Sequence, residues 1–363
     1  MTRAYTSLSV SNKKRTTLNL KKIVGIFSLV VVIGGSIFGY MIYKQIFAPN
    51  TKFNDDEVAV FVPTGSDFAQ VQEIVKPYVE DMDRFNSVAG KKEYPNNVKA
   101  GKFIIKRGAN SNDIVNSLRQ PQPVNIAFNN QETLERAVGR IARQIEPDSL
   151  TLLQAFTDKK FLEDNGFNED NVLSMFIPNT YEFFWNTSAT KVRDKMAKEY
   201  RKFWNEERQA KAKALNLTPL QVSALASIVH KETVKTDERP RVAGVYLNRL
   251  QKGMKLEADP TVIYAMKKQS GDFDQVIKRV LFKDLVIDSP YNTYKYEGLP
   301  PGPISMPDIT AIDAVLNPEK HNYIYFCASV TNFGYHEFAV TPAQHEVNRQ
   351  KYVAWVNKMG IKR

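Results

Sequence analysis

The chain has 363 residues, room for two or three domains, and its 43% apolar and 25% charged fractions exclude wholesale disorder, collagen and coiled coil. Its single cysteine, Cys327, excludes an internal disulfide, a four-thiolate zinc site and a Cys-x-x-Cys redox pair. Four histidines (His230, His321, His336, His345) give little material for a multi-His metal cluster, and no glycine-rich phosphate loop occurs, so no metal or other cofactor is expected. Net charge is +11, yet Arg3, Lys13, Lys14, Arg15, Lys21 and Lys22 crowd residues 1–22 without an acid, and the rest carries only +5. That remainder is an ordinary solvated surface, and no nucleic-acid partner is expected.

Ile23 to Tyr43 is a run of 21 residues without a charge. As a helix it spans about 30 Å, the thickness of a bilayer's hydrocarbon core. A cleaved signal peptide has an apolar core of only about 7–15 residues and a small-residue cleavage site. Gln45-Ile-Phe-Ala-Pro49 is a poor one. An uncleaved single-pass anchor in the cytoplasmic (inner) membrane is expected, in contact with its lipid. The positive-inside rule puts 1–22 in the cytoplasm and the rest outside. Gly35-x-x-x-Gly39 is a weak helix-packing signal.

A polar linker is expected over 44–56. A strand at Glu57–Val62, a helix capped by Ser66 or Asp67 to about Lys76, a strand at Lys102–Lys106 and a helix capped by Ser111 or Asn112 follow. Pro123–Phe128 reads as a strand and Thr133–Ile145 as an amphipathic helix, giving a mixed α/β region over 57–148. From 149 the pattern turns helical, with an aromatic block Tyr181–Trp185 and a charged helix Lys191–Ala214. The fold class expected is α+β.

Thr218-Pro219 is an N-cap followed by proline, opening a helix to about Lys235. Its apolar stripe is Val222, Leu225, Ile228 and Val229, and Glu232 falls on the same face. A carboxyl removed from water has its pKa raised toward the range a general acid needs. The plainer alternative is a solvent-reaching glutamate paired with Lys231, Lys235 or Arg241. A second helix, Arg241–Gln251, ends at Gly253. Loops at Leu256–Tyr264, Tyr291–Tyr294 and Gly298–Ile304 mix rings with hydrogen-bonding and turn residues. That mixture suits a sugar, and equally suits turns packed on core aromatics.

Ala226–Thr233 (ASIVHKET), Glu238-Arg239, Val242-Ala243, Val245–Leu250 (VYLNRL), Gly253–Leu256 (GMKL), Asp259–Tyr264 (DPTVIY), Tyr291–Tyr294 (YNTY) and Gly298–Ile304 (GLPPGPI) together resemble the endolytic murein transglycosylases, the YceG-like family. Weaker resemblance runs back through Phe176–Tyr181 to Gly101–Gly108 and Ser111–Leu118, where the family has a LysM-like subdomain. Two departures stand out: His230 occupies a position where many members have a further glutamate, and Asn179 one where aspartate is usual.

The resemblance implies a LysM-like region over 57–148 and a catalytic domain over 149–363. It implies lytic cleavage of the MurNAc–GlcNAc bond in peptidoglycan strands, with a 1,6-anhydro product and termination of nascent strands, beside peptidoglycan synthases. Glu232 would be the single catalytic acid and base. Asp259, Thr261, Tyr264, Tyr291, Asn292, Thr293, Tyr294 and Tyr181 would hold sugars. One alternative is a non-catalytic peptidoglycan-binding scaffold, which has no need of Glu232. Another is a metalloenzyme using His230-x-Glu232, but residues two apart on a helix point about 200° apart and cannot share an ion.

Overall fold

A computed structural model describes Met1 and residues 20–359, so most of the basic segment 1–22 lies outside the described residues. The described chain forms two compact units, residues 1–121 and 122–363.

The first unit opens with helix α1 (Leu20–Phe47). Its segment Leu20–Lys44 is long and apolar enough to cross a bilayer, and none of its most apolar window is buried. Strand β1 (Glu57–Val62), helices α2 (Phe68–Val75) and α3 (Met82–Lys91), strand β2 (Gly101–Lys106) and helix α4 (Ser111–Ser117) follow. β1 and β2 pair antiparallel, Glu57 opposite Lys106 and Val62 opposite Gly101. Alternation turns Val60, Val62, Phe103 and Ile105 onto a core with Val71, Val75, Phe85, Val88, Ile114 and Leu118. Asp67 caps α2 through a capping box with Gln70, and Asn110, not Ser111 or Asn112, caps α4.

The expected linker over 44–56 is not a free tether. α1 runs on to Phe47, Pro49 bridges to Asn110, and Thr51 bridges to Val79. Asn50 is fully buried: it accepts from the Asp81 amide at 2.8 Å and donates to Ser111 Oγ at 2.9 Å. A polar composition looks like a linker in sequence, but here the asparagine satisfies buried groups. Sequence reasoning missed α3: its segment MDRFNSVAGK mixes strong and weak helix formers, and Asp81 caps it by accepting from the Arg84 amide.

The second unit contains β3 (Pro123–Phe128), α5 (Leu134–Ala142), α6 (Ser149–Phe156), α7 (Lys159–Asp164), β4 (Asn179–Phe184), α8 (Ala189–Phe203), α9 (Glu206–Ala214), α10 (Pro219–Glu232), α11 (Arg239–Gln251), α12 (Asp259–Ser270), α13 (Ile309–Leu316), β5 (Tyr325–Ala328), β6 (His336–Ala339) and α14 (Pro342–Lys358). The boundary falls after Pro121, not after Asp148. β3 pairs with β4, Ile126 opposite Tyr181, and α5 shares a core with α6 and α8, so both belong to the second unit. The charged helix expected over 191–214 is two helices. Trp204 leaves helical geometry and buries its ring, and Asn205 caps α9 by accepting from the Arg208 amide. The result is a mixed α/β molecule with three two-stranded sheets among the described residues.

Candidate active site

Helix α10 is the centre of the second unit. Thr218 and Gln221 form a reciprocal capping box, and Pro219 opens the first turn. The helix is not an amphipathic surface helix with one apolar stripe. Every residue from Val222 to Val229 is buried, serines included. Each of Val222, Leu225, Ile228 and Val229 contributes roughly 1.5–3 kcal/mol by leaving water. Ser227 Oγ donates to the Ala224 carbonyl and accepts from the Ile304 amide at 3.0 Å, which docks the Gly298–Ile304 loop against the helix. Gly302 lets the same loop pass against the chain at Asp170, where a Cβ would lie 1.9 Å from the Asp170 carbonyl oxygen.

The helix stops at Glu232 because Thr233 turns extended. The Thr233 hydroxyl accepts from the Lys235 amide, and its carbonyl accepts from Arg239 Nε. Glu232 is therefore held at the mouth of a buried helix. Its Oε1 accepts from the Tyr246 hydroxyl of α11 at 2.6 Å. Burial pushes the carboxyl up to about 7. The Tyr246 hydrogen bond opposes that shift and the Asp259 charge adds to it. The negative end of the helix dipole acts in the same direction as burial. Tyr246 is itself pushed well above the ordinary phenol range, by burial and by the charge of Glu232.

Glu232 opens onto a cavity of about 400 Å³ lined also by Tyr246, Arg249, Glu257, Asp259, Tyr294, the β5 strand, His336 and His345. Arg249 ties one wall to another: it donates to the Lys255 and Ile324 carbonyls and pairs with Glu257. Tyr294 donates to Asp259 Oδ1 at 2.7 Å. A larger cavity, about 1060 Å³, lies against Gly244, Leu247 and Asn248 on the opposite face of α11. Its one acidic side chain, Glu319, is held by Arg241, whereas Glu232 opens onto the smaller cavity.

Over residues 60–351 the chain matches the YceG-like family. It belongs to that family. Similar proteins include the endolytic murein transglycosylase of Bacillus subtilis, 26% identical over 90% of this chain and 93% of that protein. The endolytic murein transglycosylase of Streptococcus pneumoniae is 27% identical over 90% of this chain, which spans 64% of that longer protein. A crystal structure of a putative YceG-like protein from Listeria monocytogenes aligns with a TM-score of 0.53 at 26% identity, covering 81% of this chain and 99% of that one.

Of the sugar-holding residues expected in this YceG-like chain, Asp259 and Tyr294 share the cavity with Glu232. Thr261, Asn292 and Thr293 are buried and brace that wall instead. Thr293 Oγ1 meets Thr261 Oγ1 at 2.8 Å and accepts from the Ala258 amide, while Asn292 donates to the Leu285 and Ile287 carbonyls. Tyr264 and Tyr291 pack ring to ring, centroids 4.7 Å apart, and line no part of this cavity. Tyr181 is a core residue, stacked on Phe128 and donating to the Ile177 carbonyl.

His230 points to Asp308 and Arg239, not to Glu232's partners. Among the described residues no group of three or more His, Cys, Asp or Glu side chains is placed to hold a metal ion. Sequence reasoning missed Tyr246 as a partner of Glu232 and the whole β5–β6 wall. Tyr246 lies inside the VYLNRL segment, four residues after Val242 on the face that meets α10. That periodicity was a usable signal.

Proposed function

We propose that this chain is a peptidoglycan lytic transglycosylase in which Glu232 is both general acid and general base. The observation that carries this reading is a half-buried carboxyl at the end of α10, its pKa raised to about 7 by desolvation, opening onto a polar cavity. Protonated Glu232 donates to the glycosidic oxygen as the C1–O bond between MurNAc and GlcNAc breaks. The C6 hydroxyl of the same MurNAc then bonds to C1, and its proton returns to the Glu232 carboxylate. No water is consumed, and the product ends in a 1,6-anhydro ring. Asp259 and Tyr294 orient the sugar, and the two threonines and Asn292 hold their loop.

A second reading rests on Asp259, a further carboxylate in the cavity. Two carboxyls are the equipment of a hydrolase, with one activating water. Mass analysis of strands digested by the full chain in detergent separates the two. Anhydro ends support the lytic reading, and reducing ends 18 Da heavier contradict it.

We further read the first unit as the LysM-like, glycan-holding subdomain and α1 as a single-pass anchor in the cytoplasmic membrane, with the basic residues 1–22 inside and the catalytic unit outside. On this reading the enzyme meets nascent strands near the lipid, terminates their growth, and has peptidoglycan synthases as candidate partners.

A further inference from the structure

The cavity holds a second built group that the single-acid mechanism does not use. Glu238 lies just before α11, and only 2% of its side chain is exposed. Both of its oxygens are occupied by one residue of β6. Oε1 accepts from the His336 backbone amide at 2.7 Å, and Oε2 lies 2.8 Å from His336 Nδ1. A carboxylate accepting there requires Nδ1 to carry the proton, which fixes the ring's orientation. His336 lines the same cavity as Glu232. Its Nε2 has no hydrogen-bond partner among the described residues and is not sealed from solvent. The edge-on contact with Phe326, centroids 5.0 Å apart, places an apolar ring against the imidazole. Phe326 in turn meets Tyr246, the partner of Glu232, at 5.8 Å.

We propose that His336, oriented by the buried carboxylate of Glu238, is a glycan-contacting group that pairs through Nε2 with a sugar hydroxyl in the Glu232 cavity. This rests on reading the cavity as a glycan site. A hydroxyl both donates and accepts, so it pairs with Nε2 in either protonation state. Phe326 offers a surface for the sugar's C–H face. Glu238 is a positioning residue and touches no substrate.

The dyad also clips β6 to the chain before α11, so the test separates contact from clip. His336→Asn keeps an amide N–H near the Nδ1 position for Glu238 but lacks Nε2. His336→Gln places an amide near Nε2 but leaves Glu238 without its side-chain donor. Steady-state rates of the full chain in detergent are measured on uncrosslinked glycan strands, with thermal unfolding alongside. The Asn variant is expected to raise KM about ten-fold, the scale of one lost hydrogen bond, with near wild-type stability. The Gln variant is expected to keep KM closer to wild type while melting earlier. An Asn variant with wild-type KM overturns the proposal, as does a Gln variant no better than Asn. If instead wild type and Glu232→Gln are equally inert on glycan, the reading of the cavity itself falls, and the role of His336 with it.

Discussion

Glu232 ends a helix, and that position governs its protonation. Its carboxyl is desolvated and sits at the negative helix end, and Tyr246 alone is seen to favour the charged form. Tyr246→Phe removes that hydrogen bond, so the pKa rises further above about 7. A general acid loses activity as pH climbs past its pKa. The falling limb of kcat/KM against pH is therefore expected to move to higher pH in the variant. A limb that stays put or moves down contradicts the assignment. Stability is linked in the same way. A folded-state pKa raised above the unfolded value gives stability that is complete below about 4.5 and fades as pH rises through about 7. Glu232→Gln is free of that loss, so its melting temperature relative to wild type is expected to be higher at pH 8 than at pH 5.

Elements hold the cavity more than contacts with the acid do. The Gly298–Ile304 loop binds α10 through the Ile304 amide, and Gly302 lets the same loop pass against the Asp170 backbone. Gly302→Ala drives a methyl into the Asp170 carbonyl and is expected to destabilise by about 1–3 kcal/mol or more, read as a lowered melting temperature. Thr293→Val removes the hydroxyl that accepts from the Ala258 amide, with an expected cost of about 1–3 kcal/mol, and loosens Asp259 and Tyr294 together. KM is expected to rise more than kcat falls.

These elements were partly legible in the sequence. Thr218-Pro219 announced α10, and alternation gave β1, β2 and β3, since caps and periods are local signals. The cavity wall from β5 and β6 was not legible. Its residues lie about a hundred positions from Glu232, and Glu238 meets His336 only through tertiary folding. In sequence, the loops that mix rings with hydroxyls suit a sugar and a packed turn alike. Folding divided them, with Asp259 and Tyr294 to the cavity and Thr261, Asn292, Thr293 and Tyr291 inward, because hydrogen bonding satisfies a buried threonine as well as a sugar does.

At the scale of the whole molecule, α1 joins the first unit without a slack tether, since Ile46 packs on that unit's core and Asn50 is buried in it. Replacing residues 1–47 with a cleavable leader is expected to shift the protein from the membrane fraction to the soluble one. At matched abundance the released form is also expected to lose control of glycan strand length in cells, while still cutting purified strands. Unchanged strand length refutes the anchor's proposed role. The chemistry proposed needs no metal, so EDTA is expected to leave the rate unchanged; loss of activity restored by zinc overturns the single-acid mechanism.

The most direct test is the rate at which purified full-length Glu232→Gln releases fragments from glycan strands, compared with wild type at neutral pH. Glutamine keeps the shape and still accepts from Tyr246 but has no acidic proton. A general acid contributes typically about 10²–10⁴-fold, and more where it also serves as the base. Expected is a loss of at least that size with the fold intact by thermal unfolding. Release of fragments at near wild-type rate contradicts Glu232 as the catalytic group.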